Sequence, residues 1–170
     1  MFNARSVVSK VSELHYLLYQ VRHDVYFITE TWLHDDVCSG LLDPRSQFTV
    51  LRKDRAVSKG GGVCALIRNH LRVVPVSTAD EFCDLELLCF DLITANCRYR
   101  FFVVYRPPGI DCDAINYMSQ LVACISNSKY SNDKYTNIIR GDFNLPKVDW
   151  ATNCGPKHDD CVCHVSHVRA

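Results

Sequence analysis

The chain has 170 residues, 19 basic and 19 acidic side chains for a formal charge of zero, and 48% hydrophobic against 22% charged residues. That is the size of one domain with a substantial core. The even charge excludes a uniformly basic nucleic-acid protein, so any DNA contact must come from a local patch.

No apolar run approaches the ~20 residues that span a bilayer. The start, MFNARSVVSKVSEL, carries polar residues throughout and is no secretory signal. Val7, Val8, Val11, Leu14, Leu17, Leu18 and Val21 recur at helical spacing, so an amphipathic helix is expected from Ser6 to about Arg22. Val25–Thr31 (VYFITET) reads as a buried strand with Glu30 at its end. Phe48–Arg55 and Val63–Arg68 read as two strands joined by a loop containing SKGGG, and Leu71–Val76 as another short strand. LELLCFDLIT (Leu85–Thr94) and YRFFVVY (Tyr99–Tyr105) are strongly strand-like around a turn at Ala95–Arg98. Ile115, Met118, Leu121, Val122 and Ile125 predict a second helix over Asp113–Ser126, and Ile138–Phe143 closes the series as a strand. This order gives an α+β (mixed α/β) fold with a layered sheet core. From Asn153 the periodicity stops, so the chain divides into a domain over residues 1–153 and an irregular Cys/His-containing tail over 154–170. The ten cysteines form no CxxC, and Cys64, Cys89 and Cys124 sit in apolar runs. They read as reduced, mostly buried thiols.

The run NIIRGDFNLP (Asn137–Pro146) sets Asp142 and Asn144 two residues apart around Phe143. In a strand such residues share a face, which would put a carboxylate and a carboxamide side by side at a strand exit. An Asx-rich turn explains the same letters. Three other strand or helix ends carry polar residues: Asn3 in NARS, Glu30 in ETWL, and Tyr105 with Arg106 in VYRPP. Each has a plain structural reading: Asn3 as a helix N-cap, Glu30 as a cap of its segment, Tyr105 as half-buried core. Gly60–Gly62 lacks the following GK[ST] of a phosphate-binding loop and reads as a flexible hairpin. Arg52, Lys53, Arg55, Lys59 and Arg68 near it are candidates for a basic patch on a DNA backbone, or a solvated charged face.

Taken in order, NARS, ETWL, DR…GGGV, VYRPP and GDFNLPKVDW resemble the endonuclease domain of non-LTR (LINE-type) retrotransposons, within the DNase I-like endonuclease/exonuclease/phosphatase superfamily. The resemblance runs from Asn3 to about Asn153 and implies a four-layer α/β-sandwich. It implies Mg²⁺ (or Mn²⁺) held at Glu30, Asp142 handling the attacking water with Asn144 beside it, and Asn3 near the metal and scissile phosphate. Tyr105 would hydrogen-bond a phosphate oxygen, and Arg55, Lys59 and Arg106 would contact the DNA backbone. The implied activity is DNA nicking by metal-assisted phosphodiester hydrolysis, in the cell interior and nucleus, beside a reverse transcriptase domain in a complete element.

The chain also departs from that pattern. Only Met1 and Phe2 precede NARS, where the family has a strand, and nothing matches the C-terminal strands and the closing Asp-His motif. Val165-Ser166-His167 has no preceding aspartate, and Asp159, Asp160 and His164 find no counterpart. The expectation is therefore a domain incomplete at both ends, with weak or no nuclease activity. Two other readings stand beside it: a catalytically dead DNA- or partner-binding fragment, and a phosphatase-type member of the superfamily. A zinc site among Cys154, His158, Cys161, Cys163, His164 and His167 is a further alternative, although CxC-H-x2-H fits no standard finger.

Overall fold

The computed structural model describes residues 1–56, 59–109, 111–127, 135–146 and 148. The tail over 154–170, with its zinc candidates, lies outside the described residues.

Two four-stranded mixed sheets form the molecule. The first contains β1 (Phe2–Asn3), β2 (Val25–Thr29), β3 (Phe48–Lys53) and β4 (Val63–Arg68), in the order β1-β2-β4-β3. The second runs β5 (Arg72–Val76), β6 (Glu86–Ile93), β7 (Arg98–Tyr105), β8 (Thr136–Asp142) in simple sequence. Helix α1 (Val11–Gln20) packs on the outer face of the first sheet, and α2 (Asp111–Ser126) on that of the second.

The sequence makes these layers by alternation. In β4, Val63, Ala65 and Ile67 face the second sheet and meet Phe90, Leu92, Val103 and Tyr105. Cys64 and Leu66 face the other way, against Leu14 and Leu18 of α1. Burial on both faces is why this strand reads as an unbroken apolar run rather than an alternating one. On the second sheet, Leu87, Cys89, Phe102 and Val104 turn outward to Leu121 and Cys124 of α2. Phe27, Phe90 and Phe101 bridge the two sheets, with Phe90 and Phe101 stacked at 5.2 Å between centroids. Phe90 is 0% exposed, and truncating such a ring to alanine costs about 3–5 kcal/mol.

Two parallel pairs set the polarity. Strand β1 pairs with β2 through Phe2↔Ile28 and Asn3↔Thr29, and β7 pairs with β8 up to Tyr105↔Asp142. A helix-containing crossover separates the members of each pair, so the carboxyl ends of all four strands come together at one end of the sandwich. Tight approach of β7 and β8 needs Gly141, where an added Cβ would stand 2.0 Å from the Val104 carbonyl oxygen.

Two expectations shift. The first helix begins later than Ser6: Val8–Lys10 is a 3-10 turn and α1 starts at Val11. The Ser6 and Val7 amides are spent on the carbonyls of Glu30 and Thr31, at 3.0 and 2.9 Å, and this holds Ser6 out of the helix with φ of 79°. Strand β2 ends at Thr29 rather than Thr31, because Glu30 takes a left-handed φ of 52°. The thiols Cys64, Cys89 and Cys124 are buried and free, while Cys38, Cys83 and Cys97 are free and exposed.

Candidate active site

Asn3, the last residue of β1, donates from Nδ2 to Glu30 Oε1 at 2.7 Å and to Asp142 Oδ2 at 3.0 Å. One amide thus ties a carboxylate after β2 in the first sheet to a carboxylate ending β8 in the second. Tyr105 closes the group by donating from Oη to Glu30 Oε1 at 3.1 Å. Asn3 Oδ1 accepts from the Arg5 amide at 3.2 Å, so the amide is fixed at both ends. It works as a bridge between strands, not as a helix N-cap.

The backbone here is held in conformations that side chains seldom adopt. Among the described non-glycine residues, positive φ occurs at Arg5, Ser6, Glu30, Trp32, Ser46 and Asn144. All but Ser46 fall in the three segments that build this group. Such conformations cost on the order of 1–3 kcal/mol each and persist where the surroundings fix them, which is typical of functional sites. At Glu30 the fixing bonds are visible: its carbonyl accepts from Ser6, and Trp32 N donates to Gly61 O at 3.0 Å.

Glu30 and Asp142 have only neutral donors as hydrogen-bond partners among the described residues. Tyr105, by contrast, is driven toward its protonated form: burial first, then its bond to Glu30 and the nearby Glu86, push the phenol well above its usual range. It is a hydrogen-bond donor at neutral pH, not a base.

Asn144 behaves differently from the strand-face expectation. The strand stops at Asp142, and with φ of 47° Asn144 turns away. Its Nδ2 donates to the Arg106 carbonyl at 2.6 Å, and its backbone amide, not its side chain, reaches Asp142 Oδ1 at 3.2 Å. Alternation of faces applies only while a strand continues. Arg106, 3% exposed, braces the same turn by donating to the carbonyls of Pro107 and Asn144. Arg55 is paired with Glu86, and Arg52 with Asp54. Arg68 lies at the far end of β4. The basic cluster expected around SKGGG is thus dispersed, and Lys59 is the member that stands exposed beside the glycines.

Behind Tyr105 lies a support that the sequence reading missed. Glu86, 8% exposed, accepts from Arg55 and from the Gly62 amide, and sits directly across the ladder from Tyr105. The Arg55 guanidinium lies 5.9 Å from the Tyr105 ring centroid. Gly60, Gly61 and Gly62 all have positive φ, and a Cβ on Gly61 would fall 2.3 Å from Glu86 Oε2. The triple glycine is a close-packed cover on this ion pair rather than a loose hairpin. The available signal was a lone Glu in an apolar strand, which demands a buried partner.

No family model and no curated protein matches the chain. Solved structures do. A humanised D. rerio TDP2 aligns at TM-score 0.58 and 16% identity over 91% of this chain and 65% of that one. The 3'-5' exonuclease NExo from Neisseria meningitidis aligns at 0.64 and 15%, over 86% and 57%. An AP endonuclease from Archaeoglobus fulgidus aligns at 0.63 and 17%, over 86% and 56%. The fold is the DNase I-like one: two mixed sheets packed face to face, with few helices. The chain spans 56–65% of the length of these three structures.

Proposed function

We propose that the chain is a divalent-metal-dependent hydrolase of DNA phosphodiester bonds, a slow nicking endonuclease of retrotransposon origin that works in the nucleus. The observation that carries this reading is the Asn3 bridge, which draws Glu30 and Asp142 together from different sheets with Tyr105 against Glu30. The solved neighbours support it: D. rerio TDP2 is known with a single strand DNA product, and NExo as a 3' phosphatase bound to a product DNA hairpin. The ordered motifs NARS, ETWL, VYRPP and GDFNLPKVDW support the retrotransposon origin.

The residues present fit a hard cation. Glu30, Asp142 and the Asn3 carbonyl offer oxygen only, and two carboxylates sharing one amide leave negative charge that no cation among the described residues pairs with. No group of three or more His, Cys, Asp or Glu side chains gathers among the described residues. The ion would therefore rest on few protein ligands, with Glu30 the principal one, and keep most of its waters, as Mg²⁺ does. Bound there, it would offset charge developing on the phosphate oxygens.

The protein groups have separate tasks. Asp142 is oriented through Oδ2 by Asn3 and through Oδ1 by the Asn144 amide, and it takes the proton of the attacking water. Tyr105 keeps its proton and presents it to an acceptor, here Glu30 and in the complex a phosphate oxygen. Asn144 acts as a positioning residue that locks the turn after Asp142. None of the described histidines is bonded to the Glu30–Asn3–Asp142 group, where a leaving-group acid would act. Among the described histidines, His15 bonds the Leu41 carbonyl, His34 meets Asp36, His70 meets Asp24 and His23 meets the Tyr26 ring edge-on. A site with the described groups alone would turn over slowly, and this favours, as the second reading, a DNA binder without cleavage.

Supercoiled plasmid with Mg²⁺ or Mn²⁺ and excess protein tests this. Nicking that EDTA stops and Asp142→Ala removes is the expected result. Plasmid left intact with either metal rejects the hydrolase and leaves the binder.

A further inference from the structure

A second cluster of basic side chains lies away from this site. At the other end of the same strands, a cleft of about 430 Å³ is lined by Arg22, Arg45, Arg68, His70, Asp24 and Tyr19, among others. Asp24 precedes β2 and Glu30 follows it, while Gly62 precedes β4 and Arg68 ends it. A five-residue strand, about 17 Å, therefore separates the cleft from the carboxylates.

Three guanidiniums face one lining carboxylate, and that carboxylate is engaged by His70 at 3.6 Å. Two of the three are set in place by flat contacts. Arg45 lies over the Tyr19 ring at 4.2 Å, and Arg68 over the Phe48 ring at 4.5 Å. Tyr19 is itself tied down by its bond to the buried Asp43 at 2.6 Å. Arg68 donates to the neutral Gln47 Oε1 at 2.9 Å and the Leu18 carbonyl at 3.1 Å, so its charge meets no anion there. The carboxyl end of α1 abuts the cleft and would repel an anion. Three carbonyls at this end are covered, however: Leu18 by Arg68, Leu17 and Val21 by the Tyr26 hydroxyl. A planar, stacked guanidinium with no carboxylate partner is the group best suited to fork onto a phosphate.

We propose that this cleft binds the phosphates of a nucleic-acid backbone, as a second holding site at the opposite end of the sandwich from Glu30 and Asp142. The nature of the ligand rests on the DNA reading above; the anion site rests on the three arginines. A chain with both sites grips one nucleic acid at two places, or two segments at once, while only one end carries carboxylates.

The test is binding of a labelled short oligothymidylate in EDTA, which prevents cleavage, as a function of salt. Arg22→Ala with Arg45→Ala changes two exposed side chains and spares Arg68, which helps hold α1. The double variant is expected to bind roughly tenfold more weakly at low salt, and its log–log salt slope to flatten by about 1.4, as two lost phosphate contacts on a single strand predict. Arg22→Lys with Arg45→Lys should recover much of the slope. Unchanged affinity and slope, or no binding by the natural chain at low salt, would falsify the cleft. Competition separates the sources of phosphate: inorganic phosphate displacing the oligonucleotide at equal phosphate concentration removes the backbone assignment. Plasmid nicking is scored separately. Arginine-dependent binding without nicking keeps the cleft and removes the hydrolase, and nicking with arginine-independent binding does the reverse.

Discussion

Glu30 and Asp142 at one end of the sandwich differ from Glu86 and Asp91 in its interior. Asp91, 5% exposed, is held by two bonds from Arg100 at 2.6 and 2.8 Å, and Glu86 is held by Arg55. Glu30 and Asp142 share a single neutral amide instead. A buried carboxylate with a fork-on guanidinium is a closed unit, costly to break and with nothing left to offer. Two carboxylates joined through an amide have no cationic partner among the described residues. The contrast between acids paired with a guanidinium and acids without a cationic partner among the described residues supports the roles proposed for Glu30 and Asp142.

Substitution on the two sides should therefore break different things. Asp142→Asn keeps the shape and the bond from the Asn144 amide but sets an NH2 against the Asn3 amide, so stability should fall by about 1 kcal/mol. If Asp142 has the proposed role, nicking of plasmid should fall about a thousandfold. Asp91→Ala does the opposite. It takes the carboxylate away from a guanidinium that is itself 7% exposed, and should cost about 3 kcal/mol in urea unfolding. A large stability loss in Asp142→Asn would return that residue to the structural class.

The next effect tests how the two sheets deliver the site. Gly141→Ala places a methyl against the Val104 carbonyl. No side-chain adjustment relieves a backbone clash, so β8 must move away from β7, at about 3 kcal/mol. Because Asp142 follows directly, nicking should fall with stability. Gly61→Ala is the companion change, with φ of 67° and the new methyl pressing on Arg55 and Glu86. It should loosen the support behind Tyr105 and leave the Asn3 bridge alone, so less activity is lost per kcal/mol of destabilisation.

How far these positions could be read from the letters depends on how local each interaction is. Strands β4, β6 and β7 were legible because apolar runs between turn residues record burial directly. Asn3, Glu30, Tyr105 and Asp142 were nominated through an ordered set of motifs, and the structure brings all four together. Asn144 was misplaced because a strand rule was carried one residue past the strand's end, into left-handed backbone. Local sequence does not reveal that Glu86, 31 residues on, pairs with Arg55. The distal cleft was invisible for the same reason: Arg22, Arg45 and Arg68 come from three separate connections and strands.

The smallest effect concerns the proton on Tyr105. Its folded-state pKa is raised, so the phenol's contribution to stability is present below the ordinary value near 10 and lost as pH rises above it. Buried Cys64 and Cys89, each pushed up to about 12 by desolvation, act in the same direction from about pH 9 upward. Unfolding free energy should therefore be flat with respect to these groups between pH 7 and about 8.5 and decline beyond that. Tyr105→Phe removes one hydrogen bond to Glu30, at about 1 kcal/mol near neutrality, and makes the decline above about pH 10 shallower while leaving the cysteine part in place. Urea melts of both proteins across that range measure the difference. An identical alkaline slope in the two would mean that the phenol titrates as freely folded as unfolded, its proton held by neither burial nor Glu30.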